Sequence, residues 1–244
     1  YFAAAEAVRD QIPVIDHELN NIFTGCYTTQ SRVKKGNRRS ETSLIAAEGL
    51  CALTARELGT PYADRAFEKA WQNTLFTHFH DIITGSCVQD SREYAMGLYQ
   101  EALSVAQTRS AMALEAVAKT IDTSSIAITD DSVHMQSEGA GVGFGLMQGN
   151  IPTHESANGL TRIFNIFNTT STDRQENVSI TVWDWPGSLE LLEFTDAQGN
   201  PLPFEVASEV KEYWSHHYFT VLVTVCVPSH GYTTVVLREK DPEE

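Results

Sequence analysis

The spacing of apolar residues changes once along this chain, near residue 122, and that change restricts the fold more than any other feature. Before it, apolar side chains recur at helical intervals. Leu44, Ile45, Leu50, Leu53 and Leu58 predict one helix, stopped by Gly59. Tyr62, Ala66, Phe67, Ala70, Trp71 and Leu75 predict a second, with Thr60 as N-cap and Pro61 in the first turn. A third opens at Asp90, with Glu93 placed to complete a capping box, and runs to about Lys119 along Leu98, Ala102, Val105 and Met112. After residue 160 the period is two. β-Branched and aromatic runs such as "TRIFNIFNTT", "NVSITVWDW" and "YFTVLVTVCV" are broken by Gly, Asn and Pro. "DAQGNPLP" reads as a hairpin turn and "PSHGYTT" as a second break. The expected class is α+β with two domains: a helical bundle over 1–121, a Ser-, Thr- and Gly-rich linker or extended loop over 122–160, and an antiparallel β-sandwich-type module over 161–244. That module reads as half of a sandwich whose sheet continues beyond this chain.

Charge narrows the function classes. Seventeen basic residues against 32 acidic ones give a net charge of −15, which argues against binding nucleic acid through phosphate neutralisation. "SRVKKGNRRSE" is the local exception; Arg32, Lys34, Lys35, Arg38 and Arg39 read as a solvated basic loop. No run of 18 apolar residues predicts a membrane span. The start has no basic region followed by an apolar core, so no secretory leader is expected. Cys26, Cys51, Cys87 and Cys226 are scattered and form no CxxC pair. They predict free thiols and a reducing, cytoplasmic setting. The triplets starting at Asn168 and Asn177 fit the glycosylation pattern, which arises often by chance. The glycine run in "SEGAGVGFGLMQGN" lacks the Lys-Ser/Thr ending of a phosphate loop.

Chemistry concentrates in "TLFTHFHDIITGSCV", residues 74 to 88, where His78, His80 and Asp81 are close together. Zinc takes imidazole nitrogen and carboxylate oxygen, so the cluster suggests a metal, but it is too small to complete a site. On an extended backbone His78 and His80 would face one side. On a helix they would diverge by about 200°. A hydrogen-bonded core histidine stays open as the plain alternative.

A second stretch, "GCYTTQSRVKKGNRRSE" at 25–41, lies upstream. Together the two resemble glycoside hydrolase family 38, the zinc-dependent α-mannosidases. The likeness rests on Gly25 to Gln30 with Lys35, Asn37, Arg38 and Glu41, then Leu75 to Ser86, and on "RIFNIFNTTSTDRQENVSITV" and "VPSHGYTTVVL" in the β part. It covers most of residues 16 to 237. It implies the middle helical domain plus the first β domain of a retaining exo-hydrolase of α-linked mannosides, preceded by a catalytic barrel and followed by further β domains. It also implies that His80 is one zinc ligand and that Asp81 bonds the mannose. The remaining ligands and the nucleophile would lie before residue 1, so no catalytic residue is assigned in this chain, and the segment alone should be inactive. Tyr27, Arg38 and His78 are the further candidate substrate contacts. His78 stands where the family carries Gln or Asn. Two alternatives remain: a non-catalytic binding or scaffold module with a packed His80, and a mannosylglycerate-type hydrolase of the same family. Assembly into a homo-oligomer is left open.

Overall fold

A computed structural model describes residues 1–20, 22–128, 159–213 and 216–240. The helical part contains α1 (Phe2–Glu6), α2 (Ser31–Leu58), α3 (Asp64–Phe76), α4 (His80–Ile83) and α5 (Gln89–Ala118), with 3₁₀ turns at Arg9–Gln11 and Thr24–Tyr27. Helices α2, α3 and α5 pack together over Leu44, Ala47, Cys51, Phe67, Ala70, Ala102, Ala106 and Ala113.

Several expectations change in detail. The basic stretch is no loop: Arg32 to Arg39 lie in the first turns of α2. Arg32 Nη2 donates to Glu93 Oε2 on α5 at 2.6 Å, and that contact holds the Glu93 carboxyl below its usual range. Glu93 therefore ties two helices instead of closing a capping box. Helix α3 begins at Asp64, with Ala63 as its N-cap, not at Pro61. On α5 the inward stripe is Ala95, Tyr99, Ala102, Ala106, Ser110 and Ala113, whereas Met112 is exposed. Small side chains on this stripe let the helices approach closely, so the larger residues at spacing seven were a misleading guide. The stop at Gly59 is as expected, with φ +69 in the left-handed region that glycine enters without strain.

A carboxylate fastens α3 to α2. Glu48 accepts from Tyr62 Oη at 3.2 Å and from Trp71 Nε1 at 2.7 Å. Burial first, and the Glu48 charge second, push the Tyr62 phenol up to about 12. Nearby, burial lifts the Cys51 thiol. In a thiol titration of the native protein, exposed Cys226 will react fast and Cys51 will react only on addition of denaturant. Rapid native labelling of Cys51 would show that this part of the bundle opens.

The β part is the expected sandwich-type module, with two antiparallel sheets where a single one was expected. Strands β1 (Thr161–Phe167), β7 (Tyr232–Glu239) and β3 (Leu192–Asp196) make one, in the order β1-β7-β3. The other is β2-β6-β4, from Arg174–Trp183, His216–Val227 and Phe204–Val206, with β5 (Lys211–Tyr213) also on β6. One core joins them: Ile180, Val182, Phe219, Val221, Val223 and Val225 from one sheet meet Leu192, Phe194, Val235 and Leu237 from the other.

The "DAQGNPLP" turn forms, with the Asp196 carboxylate accepting from the backbone N–H of Gln198 and Asn200 at 2.8 and 2.9 Å. The hairpin it makes is short: Asp196 N–H donates to Asn200 O at 2.9 Å and Leu202 N–H to Phe194 O at 2.7 Å around the Thr195–Pro201 bridge, and β4 then pairs with β6 in the opposite sheet. Strands β6 and β7 likewise part at 228–231 and enter different sheets.

Asn168 fastens that crossing. Only 7% exposed, it donates from Nδ2 to the carbonyls of Thr172, Val227 and Pro228, and its Oδ1 accepts from Thr170 N–H and Oγ1. A glycan on this nitrogen would break the set, so the first of the two glycosylation patterns is a structural node. Asn168→Ala leaves buried carbonyls unpaired and will destabilise the β module by about 2 kcal/mol, read as a lower denaturation midpoint. An unchanged midpoint would show that water replaces the amide. The linker expected over 122–160 lies mostly outside the described residues, as does the glycine run.

Candidate functional site

The two motif stretches, 25–41 and 74–88, fold against each other. The 3₁₀ turn Thr24–Tyr27 is closed by Thr29 Oγ1 donating to Gly25 O at 2.6 Å. Gln30 then adopts φ +53 and α2 begins. Lys34 Nζ donates to Thr29 O, and burial holds the Lys34 ammonium below its usual range. On the other side, Gly85 has φ +79. A Cβ built there would lie 2.8 Å from Thr29 O and 2.9 Å from Gln30 Cβ. Glycine is required both for the backbone conformation and for the close approach. It joins the end of α4 to the start of α2.

Helix α4 is a single turn. Phe79, at φ −50 and ψ 133, breaks the chain away from α3, so His78 and His80 share neither a helix nor a strand. Ile82 is buried and packs with Val33, Ala95 and Tyr99. Thr84 Oγ1 donates to His80 O, and Cys87 N–H donates to Asp81 O at 2.9 Å. These contacts hold the backbone of the turn and leave its polar side chains facing outward.

The histidines have different surroundings. His78 Nε2 lies 2.8 Å from Asn37 Oδ1 and 3.4 Å from Glu41 Oε1, both on α2. Glu41 Oε2 also accepts from Arg38 Nη1 at 3.0 Å, the pairing that the three-residue spacing suggests. The His80 side chain is 79% exposed, and its Nε2 lies 3.7 Å from Asp81 Oδ2. Its ring stacks at a tilt on Phe79, with centroids 4.4 Å apart. The scaffold alternative called for a packed His80, and this one is open to solvent. Tyr27 is also exposed, at 66%.

The structure thus brings His78, Asn37, Arg38 and Glu41 together and sets His80 beside Asp81. Sequence reasoning paired Glu41 with Arg38 and quoted Asn37 without giving it a task, and it placed neither on His78. Their spacing of four, which puts both on one helix face, was the available signal. Tyr99 was missed altogether: its ring would lie 2.7 Å from a Cβ at Gly36, so that glycine admits the phenol between α2 and α5.

Among the described residues no group of three or more His, Cys, Asp or Glu is placed to hold a metal ion. The donor chemistry of His80 and Asp81, an open imidazole beside a carboxylate, fits one corner of a zinc site and not a whole one.

Residues 21–122 match the family model of the alpha mannosidase middle domain. Alpha-mannosidase 2C1 of Homo sapiens is 36% identical over 102 residues, which is 41% of this chain and 10% of that protein. Alpha-mannosidase 2C1 of Mus musculus is 40% identical over 85 residues, 34% of this chain and 8% of that one. An alpha-mannosidase structure from Enterococcus faecalis V583 superposes with a TM-score of 0.59 at 16% identity, covering 99% of this chain and 28% of its own. A glycosyl hydrolase family 38 protein from the same species gives 0.59 at 18% identity with the same coverage. The helical half thus matches the alpha-mannosidase middle domain, and the chain shares the fold of these family 38 structures. It spans under a third of the length of these structural neighbours.

Proposed function

We propose that this chain is the middle and first β part of a zinc-dependent, retaining α-mannosidase, and that His80 supplies one ligand to a zinc ion whose other ligands lie outside these residues. The observation that carries the reading is the presentation of His80. Its imidazole stands open beside Asp81, on a one-turn helix whose backbone is fixed at both ends. A side chain meant only for packing would not be held out in this way. Bound zinc would fix and polarise a pair of sugar hydroxyls. Asp81 accepts a hydrogen bond from a mannose hydroxyl, its carboxylate lying 3.7 Å from the His80 ring. Tyr27 offers an exposed aromatic face with a polar tip, suited to a sugar. Arg38, partly engaged by Glu41, lines the same end of α2. The carboxylate nucleophile and general acid of a retaining glycosidase, about 5–5.5 Å apart, come from elsewhere in the parent enzyme. The partners are the α-mannoside and the parent's barrel and later β domains. The four free thiols favour a reducing compartment such as the cytoplasm. Among the described residues no helix is long and apolar enough to cross a membrane.

The test compares the parent enzyme with residues 1–244 alone, measuring bound zinc and hydrolysis of an aryl α-mannoside. The parent will hold zinc and turn over, and the segment will do neither. Hydrolysis by the segment, or one tightly held zinc in it, would overturn the proposal.

A further inference from the structure

The role proposed for His80 requires its ring to leave the bundle in one direction, and the residue two before it is placed to set that direction. Helix α4 is held beneath by Ile82, buried among Val33, Ala95 and Tyr99, and behind by Gly85 against Thr29 and Gln30. At its front the ring of Phe79 is more than half exposed and gives little anchorage. The front contact comes from His78, whose Nε2 faces Asn37 Oδ1 at 2.8 Å and Glu41 Oε1 at 3.4 Å.

A carboxylate can only accept, and the amide presents its oxygen to the same nitrogen. The proton therefore sits on Nε2, and His78 donates to α2. Arg38 Nη1, 3.0 Å from Glu41 Oε2, holds the carboxylate in place from its other oxygen. With Nε2 engaged, this nitrogen is not available to a metal.

We propose that His78 is a positioning residue, whose Nε2–H donates to Asn37 Oδ1 beside the Glu41 carboxylate and so fixes the path of the backbone into His80. It touches neither sugar nor metal through this nitrogen. The requirement is a donor of the right reach, which a glutamine amide also meets and a leucine does not. The inference rests on His80 being a zinc ligand.

The experiment uses the full-length enzyme with His78→Leu, His78→Gln and His80→Ala, reading zinc affinity by competition with a chelator, kcat and KM separately, and thermal midpoint. Groups behind metal ligands characteristically change affinity or activity by about 10–100-fold, so His78→Leu should weaken zinc by about tenfold and lower kcat more than KM. His78→Gln should restore both. A merely structural role would lower the thermal midpoint of His78→Leu without moving zinc affinity in the protein that remains folded. If His78→Leu holds zinc like the parent while His80→Ala loses it, the positioning role fails and the ligand role stands. If His80→Ala keeps its zinc, the ligand role fails and takes this inference with it. Should His78→Leu not fold, two-bond ¹H–¹⁵N spectra of unmodified protein decide, with His78→Gln assigning the signal. A proton on Nε2 is expected, and an Nε2 without one overturns the donation to Asn37.

Discussion

In the full-length enzyme, His80→Ala will lower kcat/KM by at least about 100-fold, a loss of roughly 2.7 kcal/mol of transition-state stabilisation. Zinc affinity will fall with it. The thermal midpoint of the metal-free protein will hardly move, because a side chain that is 79% exposed contributes little to packing. This pairing separates a ligand from a packing residue, which would lose stability first. Asp81→Asn should behave differently. It keeps the size and one acceptor oxygen, so zinc should be largely retained while KM rises. Equal zinc content and equal rate in wild type and His80→Ala would remove this chain from the metal site.

Gly85→Val will unfold or loosen the site and is expected to cost about 3 kcal/mol or more. Two penalties combine. A β-branched residue at φ +79 is strained wherever it occurs. The new Cβ also falls 2.8 Å from Thr29 O, a backbone atom that cannot swing aside. Relief requires separating the end of α4 from the start of α2, so both motif stretches move. Gly59→Val is the control. Its φ is +69, but nothing lies within 4 Å of its would-be Cβ. Gly59→Val should carry the conformational penalty alone and leave zinc binding intact. If the two variants lose equal stability, the contact with Thr29 is not what makes Gly85 costly to replace.

Much of this fold was legible from the change of apolar period, because helical and extended backbones bury side chains at different intervals. Helix α2 was read too short. Its first turns carry Arg32, Lys34, Lys35, Arg38 and Arg39, a polar surface that masks the buried positions Val33, Gly36 and Ser40. Helix α5 hid its inward face in alanines, which are too small to stand out in an apolar pattern. Which strands pair in each sheet was not legible, since strand pairing is set by long-range contacts. The turn at Asp196–Asn200 gives no sign that the next strand goes to the opposite sheet. At the site, the motif residues were visible as letters. What they do for each other became readable only with Asn37 and Glu41 placed on His78.

The register of β1 on β7 has a consequence for synthesis. Thr161 pairs with Arg238 and Phe167 with Tyr232, so the first strand of the β module meets its partner only when nearly all of that module has been made. At about 5–20 residues per second, β1 waits on the ribosome for several seconds with an unpaired edge. A nascent chain stalled before β7 should therefore bind chaperone through residues 161–167, and release it once β7 emerges.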